Sequence, residues 1–390
     1  MGHIENAKSN LVPLIDRLNK YPIGLVDNDI LRQILTLLFD ETEAYVGSKF
    51  PLHEATISEL SKTTGMAEDD LLPVLNAMAD KGLVTDMPYG DETYYMLMPG
   101  LIGFFEFTLM KNRTDLPLKE LAQLMSDYFH QDPENGQAKE FFGSKTQLTR
   151  SLVYDEHIPV ESQVTSYESA REIIRNADFG AVSICYCRHK RYHEGKECKK
   201  GAPIEGTCIS LGNGARFLAR RGFAEQKTTA ELLDILEYTE QLKLTHITDN
   251  IRHKPTFICN CCGCCCEIMA GVQMGYYDGV AKTQYIARID PERCDYCGDC
   301  FTVCNVKAIG PDKSTDRRVS AVKDEICLGC GACVSSCEKG AISMVSRDDY
   351  VQPKSTKKMM FLSILREKKR LSPFVVDFLK SSIRRVLSLR

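Results

Sequence analysis

One cysteine frame occurs twice late in this chain: Cys294, Cys297, Cys300 and Cys304, then Cys327, Cys330, Cys333 and Cys337, both spaced C-x2-C-x2-C-x3-C. A loop with a thiol at every third position can turn three sulfurs inward onto one cluster, and the fourth then has to reach elsewhere. This is the spacing of paired 4Fe-4S clusters, in which the fourth cysteine of each run ligates the other cluster. The expected sets are Cys294, Cys297, Cys300 and Cys337 for the first cluster, and Cys327, Cys330, Cys333 and Cys304 for the second. Zinc ribbons also use C-x2-C pairs, but zinc takes closed tetrahedral sets of four, and a duplicated x2, x2, x3 run is not their pattern.

The flanks repeat as well. Cys304-Asn305-Val306-Lys307-Ala308-Ile309 answers Cys337-Glu338-Lys339-Gly340-Ala341-Ile342, each expected to close a loop, short helix and strand. On these residues the stretch from about Gln284 to Val345 resembles the bacterial dicluster ferredoxins. The resemblance implies low-potential electron transfer. It departs in one respect, since the proline usual after the fourth cysteine is Asn305 in one run and Glu338 in the other. Proline there stiffens the loop but ligates nothing, so the departure bears on cluster potential rather than on cluster binding. Gly298, Gly329 and Gly331 fit the family, because without side chains they let backbone N–H groups approach the cluster sulfurs.

At 390 residues, with 18 cysteines and a net charge of −4, the chain has room for several domains. So many regularly spaced thiols imply a reducing compartment, where neighbours do not oxidise to disulfides. Met1 to Lys20 mixes Glu5, Lys8, Asp16, Arg17 and Lys20 with no apolar signal-peptide core, and Asn6 stands where a myristoylation motif needs Ser or Thr. The longest apolar stretch, Met96 to Met110, is broken by Pro99 and Glu106 and falls short of the roughly 20 residues of a spanning helix. A cytoplasmic protein is expected, with an α+β multidomain fold. Its expected parts are a helical, winged-helix-like domain over 1–145, a cysteine-rich α/β domain over 146–275, the dicluster ferredoxin domain over 280–350 and a basic amphipathic helical tail over 351–390.

In the N-terminal part, Ile30, Leu31, Ile34, Leu35 and Leu38 predict a helix within Asp27 to Phe39. Further helices are predicted over Thr56 to Thr64, stopped by Gly65, and over Ala67 to Lys81, stopped by Gly82. Leu83 to Met87 and Thr93 to Met98 read as a hairpin around Tyr89-Gly90-Asp91-Glu92. This order resembles a winged helix-turn-helix, whose usual partner is DNA. Charge argues against that partner: from His53 to Gly100 there are nine acids and two bases, Lys62 and Lys81, and phosphate affinity comes from Lys and Arg. The would-be recognition helix even opens with Glu68-Asp69-Asp70, better explained as favourable charge at a helix N-terminus. No nucleic acid partner is expected, and protein docking or homo-oligomer formation is the preferred role. From Asp115 to Ser144 further helix is expected, with a polar loop over Gln131 to Gly136 and Tyr128, Phe129, Phe141 and Phe142 in the core.

The middle part holds the other ten cysteines. Tyr167 to Asn176 reads as a helix and Phe179 to Tyr186 as a strand delivering Cys185 and Cys187, with a bend needed at Tyr186 for both to face one metal. Cys198 and Cys208 follow in glycine-containing loops. A helix is predicted over Thr228 to Leu242, with Thr228 and Glu231 as its capping box, then a strand over Thr256 to Cys259 running into Cys259, Cys261, Cys262, Cys264, Cys265 and Cys266. Six thiols in eight residues exceed what one cubane can use. The two cysteine-bearing strands would converge on one edge if they paired in parallel across a strand–helix–strand unit. Three readings stay open: an additional Fe-S cluster on some of these ten, zinc on Cys185, Cys187, Cys198 and Cys208, or a dithiol/disulfide pair within Cys261 to Cys266. His189 and His193 read as solvated beside the basic run Arg188, Lys190 and Arg191. Gly212-Asn213-Gly214 lacks the third glycine of a dinucleotide fingerprint and follows no convincing strand, and no phosphate-binding P-loop occurs.

From Lys354 to Arg390 there are eleven bases against Glu367 and Asp377. Phe361, Ile364 and Leu365, then Phe374, Val375, Phe378, Leu379, Ile383, Val386 and Leu387, sit at helical spacing on either side of Pro373. Two amphipathic basic helices are expected. Their candidate partners are an anionic membrane surface, where the protein would be peripheral, an acidic protein, or the acidic N-terminal domain of this chain or of a second copy. A Cys-x-Cys-Arg segment, a cysteine-crowded strand end and a dicluster ferredoxin together resemble uncharacterised multi-cluster iron-sulfur proteins of anaerobes. The expectation is an electron-transfer protein serving a redox partner. The alternatives are an oxidoreductase whose middle cysteine site is catalytic, and a redox-sensing regulator.

Overall fold

The computed structural model describes residues 11–158, 165–312 and 318–376. Its contacts divide the chain into two compact units, one of residues 1–144, 220–223 and 361–390, the other of residues 145–219 and 224–360.

Three helices of the first unit carry side-chain N-caps. α1 (Asp29–Leu38) is capped by Asn28 and buries Leu31, Ile34, Leu35 and Leu38; α2 (Glu41–Lys49) starts with an Asp40/Glu43 capping box. β1 (Ala55–Thr56) leads into α3 (Ile57–Thr64), capped by a Thr56/Glu59 box. α4 (Glu68–Lys81) carries its three acids in the first turn. Gly65 and Gly82 end α3 and α4 at φ 74° and 79°, where side chains other than glycine's are strained. β2 (Val84–Tyr89) and β3 (Glu92–Leu97) form the hairpin and, with β1, a three-stranded sheet in the order β1-β3-β2. The apolar stretch after it is broken by a kink at Leu101–Gly103, where the backbone is not helical and Ile102 stands at φ 47°, before α5 (Phe105–Leu109). Among the described residues no helix is long and apolar enough to cross a membrane. α6 (Leu118–His130) and α7 (Gln137–Phe142) bury Tyr128, Phe129, Phe141 and Phe142.

The second unit holds a six-stranded sheet and the ferredoxin frame. Its strands are β4 (Thr149–Ser151), β5 (Gly180–Ser183), β6 (Cys208–Leu211), β7 (Ala224–Lys227), β8 (Thr245–Asp249) and β9 (Phe257–Cys261), in the order β4-β8-β9-β6-β5-β7. Every neighbouring pair is antiparallel. This corrects the parallel pairing expected of the cysteine-bearing strands: β5 and β9 do not touch but flank β6, each antiparallel to it, so they run the same way and still end on one edge. α8 (Ala170–Arg175) and α11 (Thr229–Gln241) supply Ile173, Ile174, Leu232 and Leu236 to a core with Val182, Ile209, Leu211 and Ile258 of the sheet. Between those helices in sequence lie α9 (Tyr186–His193) and α10 (Gly212–Arg220). Gly212-Asn213-Gly214 therefore does follow a strand and open a helix, contrary to the sequence reading, although the third glycine is still missing.

After α12 (Glu267–Gln273), β10 (Tyr285–Ile289) pairs antiparallel with β13 (Ile342–Ser346), and β11 (Ile309–Pro311) pairs with β12 (Ser320–Val322). α13 (Asp299–Val303) and a 3-10 turn, Val334–Ser336, are the short helices of the two cysteine runs. One apolar core joins Ile247, Cys261, Cys266 and Met269 of the sheet region to Ile286, Ile309, Leu328 and Ile342 of the ferredoxin frame. The frame and the cysteine-rich sheet are thus packed as one body.

α14 (Lys357–Glu367) is the first tail helix, with Met360, Ile364 and Leu365 buried. Just after it, within the first unit, Lys368 and Arg370 both pair with Glu140 at 2.7 Å. Most of the second expected tail helix, including Phe378, Leu379, Ile383, Val386 and Leu387, lies outside the described residues.

Candidate metal centres

Cys294, Cys297, Cys300 and Cys337 line one recess with about 320 Å³ of empty space, floored by Ile289 and Ile342 and edged by Ser320 and Lys339. Three of the thiols come from the first run and one from the end of the second. Cys304 stands instead with Cys327, Cys330 and Cys333, close enough that each thiolate would raise the cost of ionising Cys333. The runs mirror each other at their fourth cysteines, where the Ala308 N–H donates to Cys304 Sγ at 3.1 Å and the Ala341 N–H to Cys337 Sγ at 3.3 Å. Such donors stabilise charge on sulfur. Burial pushes the thiols of Cys300 and Cys330 up to about 11. The two groups differ in exposure at Cys297, which is at the surface; Cys300 of the same set is buried, as are Cys327 and Cys333 of the second, whose Cys330 and Cys304 are half-buried. Four thiols around an open recess fit the thiolate set of a 4Fe-4S cluster.

The ten middle cysteines fall into two groups. Cys185, Cys187, Cys266, Cys261, Cys259 and Cys208 form a chain in which each thiol meets the next, with Cys266 and Cys261 3.1 Å apart. The sheet explains their meeting. Cys208 and Cys259 are register partners on β6 and β9, and β5 ends beside them, its chain turning at Cys185 into α9. The required bend at Tyr186 is this change from strand to helix, three residues after a strand that ends at Ser183, sooner than expected. The second group is Cys198, Cys262, Cys264 and Cys265, whose sulfurs all lie within 4.8 Å of one another. The zinc set read from sequence, Cys185, Cys187, Cys198 and Cys208, is divided between the two groups.

Cationic side chains sit among these thiols. Arg188 is 2% exposed; it donates to Thr207 Oγ1 and to the Asn260 carbonyl, both at 2.6 Å. Burial works against its charge, yet Cys185, Cys262, Cys198 and Cys261 outweigh it and hold the guanidinium firmly protonated. Lys190 is 1% exposed and pairs with Glu267. His189 is buried too, with Nε2 3.0 Å from Nε2 of His193. The burial of His189 corrects the reading of a solvated histidine there; Arg188 and Lys190 are buried beside it with their charges compensated, Arg188 by the surrounding thiols and Lys190 by Glu267.

Asn305, the residue in place of the ferredoxin proline, joins the two regions. It is 3% exposed. Its Oδ1 accepts from the Gly263 N–H at 3.0 Å, and its Nδ2 donates to the Lys243 carbonyl at 2.8 Å and to Thr245 Oγ1 at 3.0 Å. Thr245 Oγ1 in turn donates to Cys330 Sγ at 3.7 Å. A Cβ on Gly263 would stand 2.4 Å from the Asn305 carbonyl oxygen, so only glycine permits this approach. Lys200 lies at the same junction, donating to the carbonyls of Lys243 and Val303 at 3.1 and 2.9 Å. Burial lowers its pKa, and Cys330, Cys262, Cys304 and Cys264 oppose that shift. Neither Asn305 nor Lys200 stood out as functional in the sequence; the missing proline was the one available signal.

Comparison with known proteins agrees with the frame. Residues 286–343 match the family described as the 4Fe-4S dicluster domain. Over 89 residues the chain is 32% identical to a subunit of the tetrathionate reductase of Archaeoglobus fulgidus, an alignment covering 21% of this chain and 41% of that protein. The chain thus spans less than half the length of this relative. No solved structure matches. The family match and the relative support a 4Fe-4S dicluster domain over residues 286–343 and an iron-sulfur protein.

Proposed function

We propose that the chain relays low-potential electrons between a redox partner protein and its own middle cysteines, through one 4Fe-4S cluster on Cys294, Cys297, Cys300 and Cys337 and a second on Cys327, Cys330, Cys333 and Cys304. Such clusters supply one-electron uptake and release when bound. The observation that carries the reading is the gradient of exposure. Cys297 of the first set faces solvent, where a partner can dock. The second set is buried against Thr245, Asn305 and Lys200, which also contact the middle thiol region. The N–H donors on Cys304 and Cys337 hold negative charge on sulfur, and the apolar core keeps water from the second set. The relative's name, a subunit of a reductase, supports a partner that is itself a redox enzyme. The six-thiol chain from Cys185 to Cys208 is the place for a further Fe-S cluster.

The test is iron and acid-labile sulfide per chain on anaerobically purified protein, with and without Cys185→Ser/Cys187→Ser. About eight irons should belong to the frame, and about four more should vanish in the variant. An unchanged count of about eight in both proteins would leave the middle thiols without a cluster and remove the terminus of the relay.

A second reading has an observation of its own: six thiols are two more than a cubane uses. A surplus of that kind suits an oxidoreductase centre that exchanges ligands or forms a disulfide during turnover, fed by the frame. For the N-terminal unit we favour a winged helix used for protein docking. The order of helices, short strand and hairpin supports it, as do the acids opening α4.

A further inference from the structure

The second middle group has the dimensions of a one-ion site. Cys198 Sγ is 3.6 Å from Cys262 Sγ and 3.7 Å from Cys264 Sγ, and Cys264 Sγ is 3.7 Å from Cys265 Sγ. Four thiolates around a tetrahedral ion, each at about 2.3 Å, stand about 3.8 Å apart by simple geometry. A cubane places each thiolate on a different iron at a separate corner and needs a wider frame, as in the recess ringed by Cys294, Cys297, Cys300 and Cys337. We propose that Cys198, Cys262, Cys264 and Cys265 bind a single thiolate-preferring metal ion, zinc or iron, separate from the cubanes and from the six-thiol chain.

Three further features fit this assignment. Ala202, Leu242 and Leu244 pack around the four cysteines as a small apolar cluster of their own, which shields a metal–thiolate site from water. A divalent ion with four thiolates is doubly negative, and two cations adjoin it: Arg188 acts on Cys262 and Cys198, and Lys200 on Cys262 and Cys264. Finally, Gly263, between two of the ligands, is fixed on Asn305, so the loop is held with its thiols together. Four protein ligands close the coordination sphere, and a closed sphere marks a structural or electron-passing ion rather than one that binds substrate. Its place is the junction of the cysteine loop with Asn305, next to Cys304. The proposal does not depend on the relay.

The experiment measures zinc, iron and acid-labile sulfide per chain in the anaerobically purified full-length protein and in Cys262→Ser/Cys265→Ser. The expected result is the loss of one metal ion per chain with sulfide unchanged; zinc or iron in that place identifies the ion. Loss of about four irons with about four sulfides, or no loss of metal, overturns the proposal. If the variant does not fold, the wild type decides. One zinc with four sulfur neighbours at about 2.3 Å by X-ray absorption, or iron exceeding sulfide by one per chain, supports the site. Iron equal to sulfide with no sulfur-bound zinc overturns it.

Discussion

Asn305 shows how one residue can exchange a local role for a longer-range one. A proline there would stiffen its own loop; asparagine instead bonds Gly263, Lys243 and Thr245 at once. Asn305→Pro should therefore leave the frame's iron content unchanged and lower stability by about 1–3 kcal/mol, the cost of leaving buried polar groups without partners. Thermal unfolding with an iron assay checks both halves, and an iron loss would instead make Asn305 part of cluster binding. Cys304 makes the complementary case. It belongs to the first run in sequence but stands with Cys327, Cys330 and Cys333, so Cys304→Ala should damage the second cluster more than the first. Electron paramagnetic resonance of the reduced variant distinguishes the two, and damage confined to the first cluster would refute crossed ligation.

Among the elements, the tail bears on pH. Glu140 of α7 accepts from the Gly24 N–H at 2.8 Å and pairs with Lys368 and Arg370. Burial alone would raise its pKa, but Arg370 and Lys368 outweigh it and hold the carboxyl below its ordinary 4.5. A depressed carboxylate stabilises the fold above its unfolded value and loses that contribution as pH falls through the folded one. Glu140→Gln should thus cost about 1–2 kcal/mol at pH 7, with the gap to wild type closing below about pH 4.5. Melting curves of both proteins across that range test it; a gap constant with pH would mean that packing, not charge, holds the tail. The helices were legible where they carry caps and stops: Thr228/Glu231, Gly65 and Gly82 all lie where the sequence placed them, whereas the Thr56/Glu59 box emerged only from the structure. The strands β6, β7 and β8 were not, since each is only four or five residues long, too short a run to carry periodicity, and β7, Ala-Glu-Gln-Lys, has almost no apolar signal. Without β6 the sheet could not be ordered, which is why parallel pairing looked available. The ferredoxin frame announces itself through local spacing, which the family match over residues 286–343 supports, whereas the grouping of the middle ten depends on which strand ends meet.

On the scale of the whole molecule, the exposure gradient fixes the order in which the centres should fail. Cys297 is exposed and gives the first set an edge at solvent, although Cys300 is buried, whereas no thiol of the second set is exposed and Cys327 and Cys333 lie in the apolar core shared with Cys261 and Cys266. An oxidant or chelator added from solution meets the first set first, and reaching the second requires opening that core, a sub-global event costing a large part of the folding free energy. The proposed crossed ligation works against complete independence, because Cys337 of the first set and Cys304 of the second each sit on the other's loop. The expected course under graded ferricyanide or chelator is a first phase releasing about four irons while the second cluster keeps its reduced resonance spectrum, then a slower phase that also melts the unit. Iron release followed together with magnetic resonance would show the two phases. A single phase, or earlier loss of the second cluster, would mean that burial does not set the order of access, and the surface at Cys297 would lose its claim as the point where electrons enter.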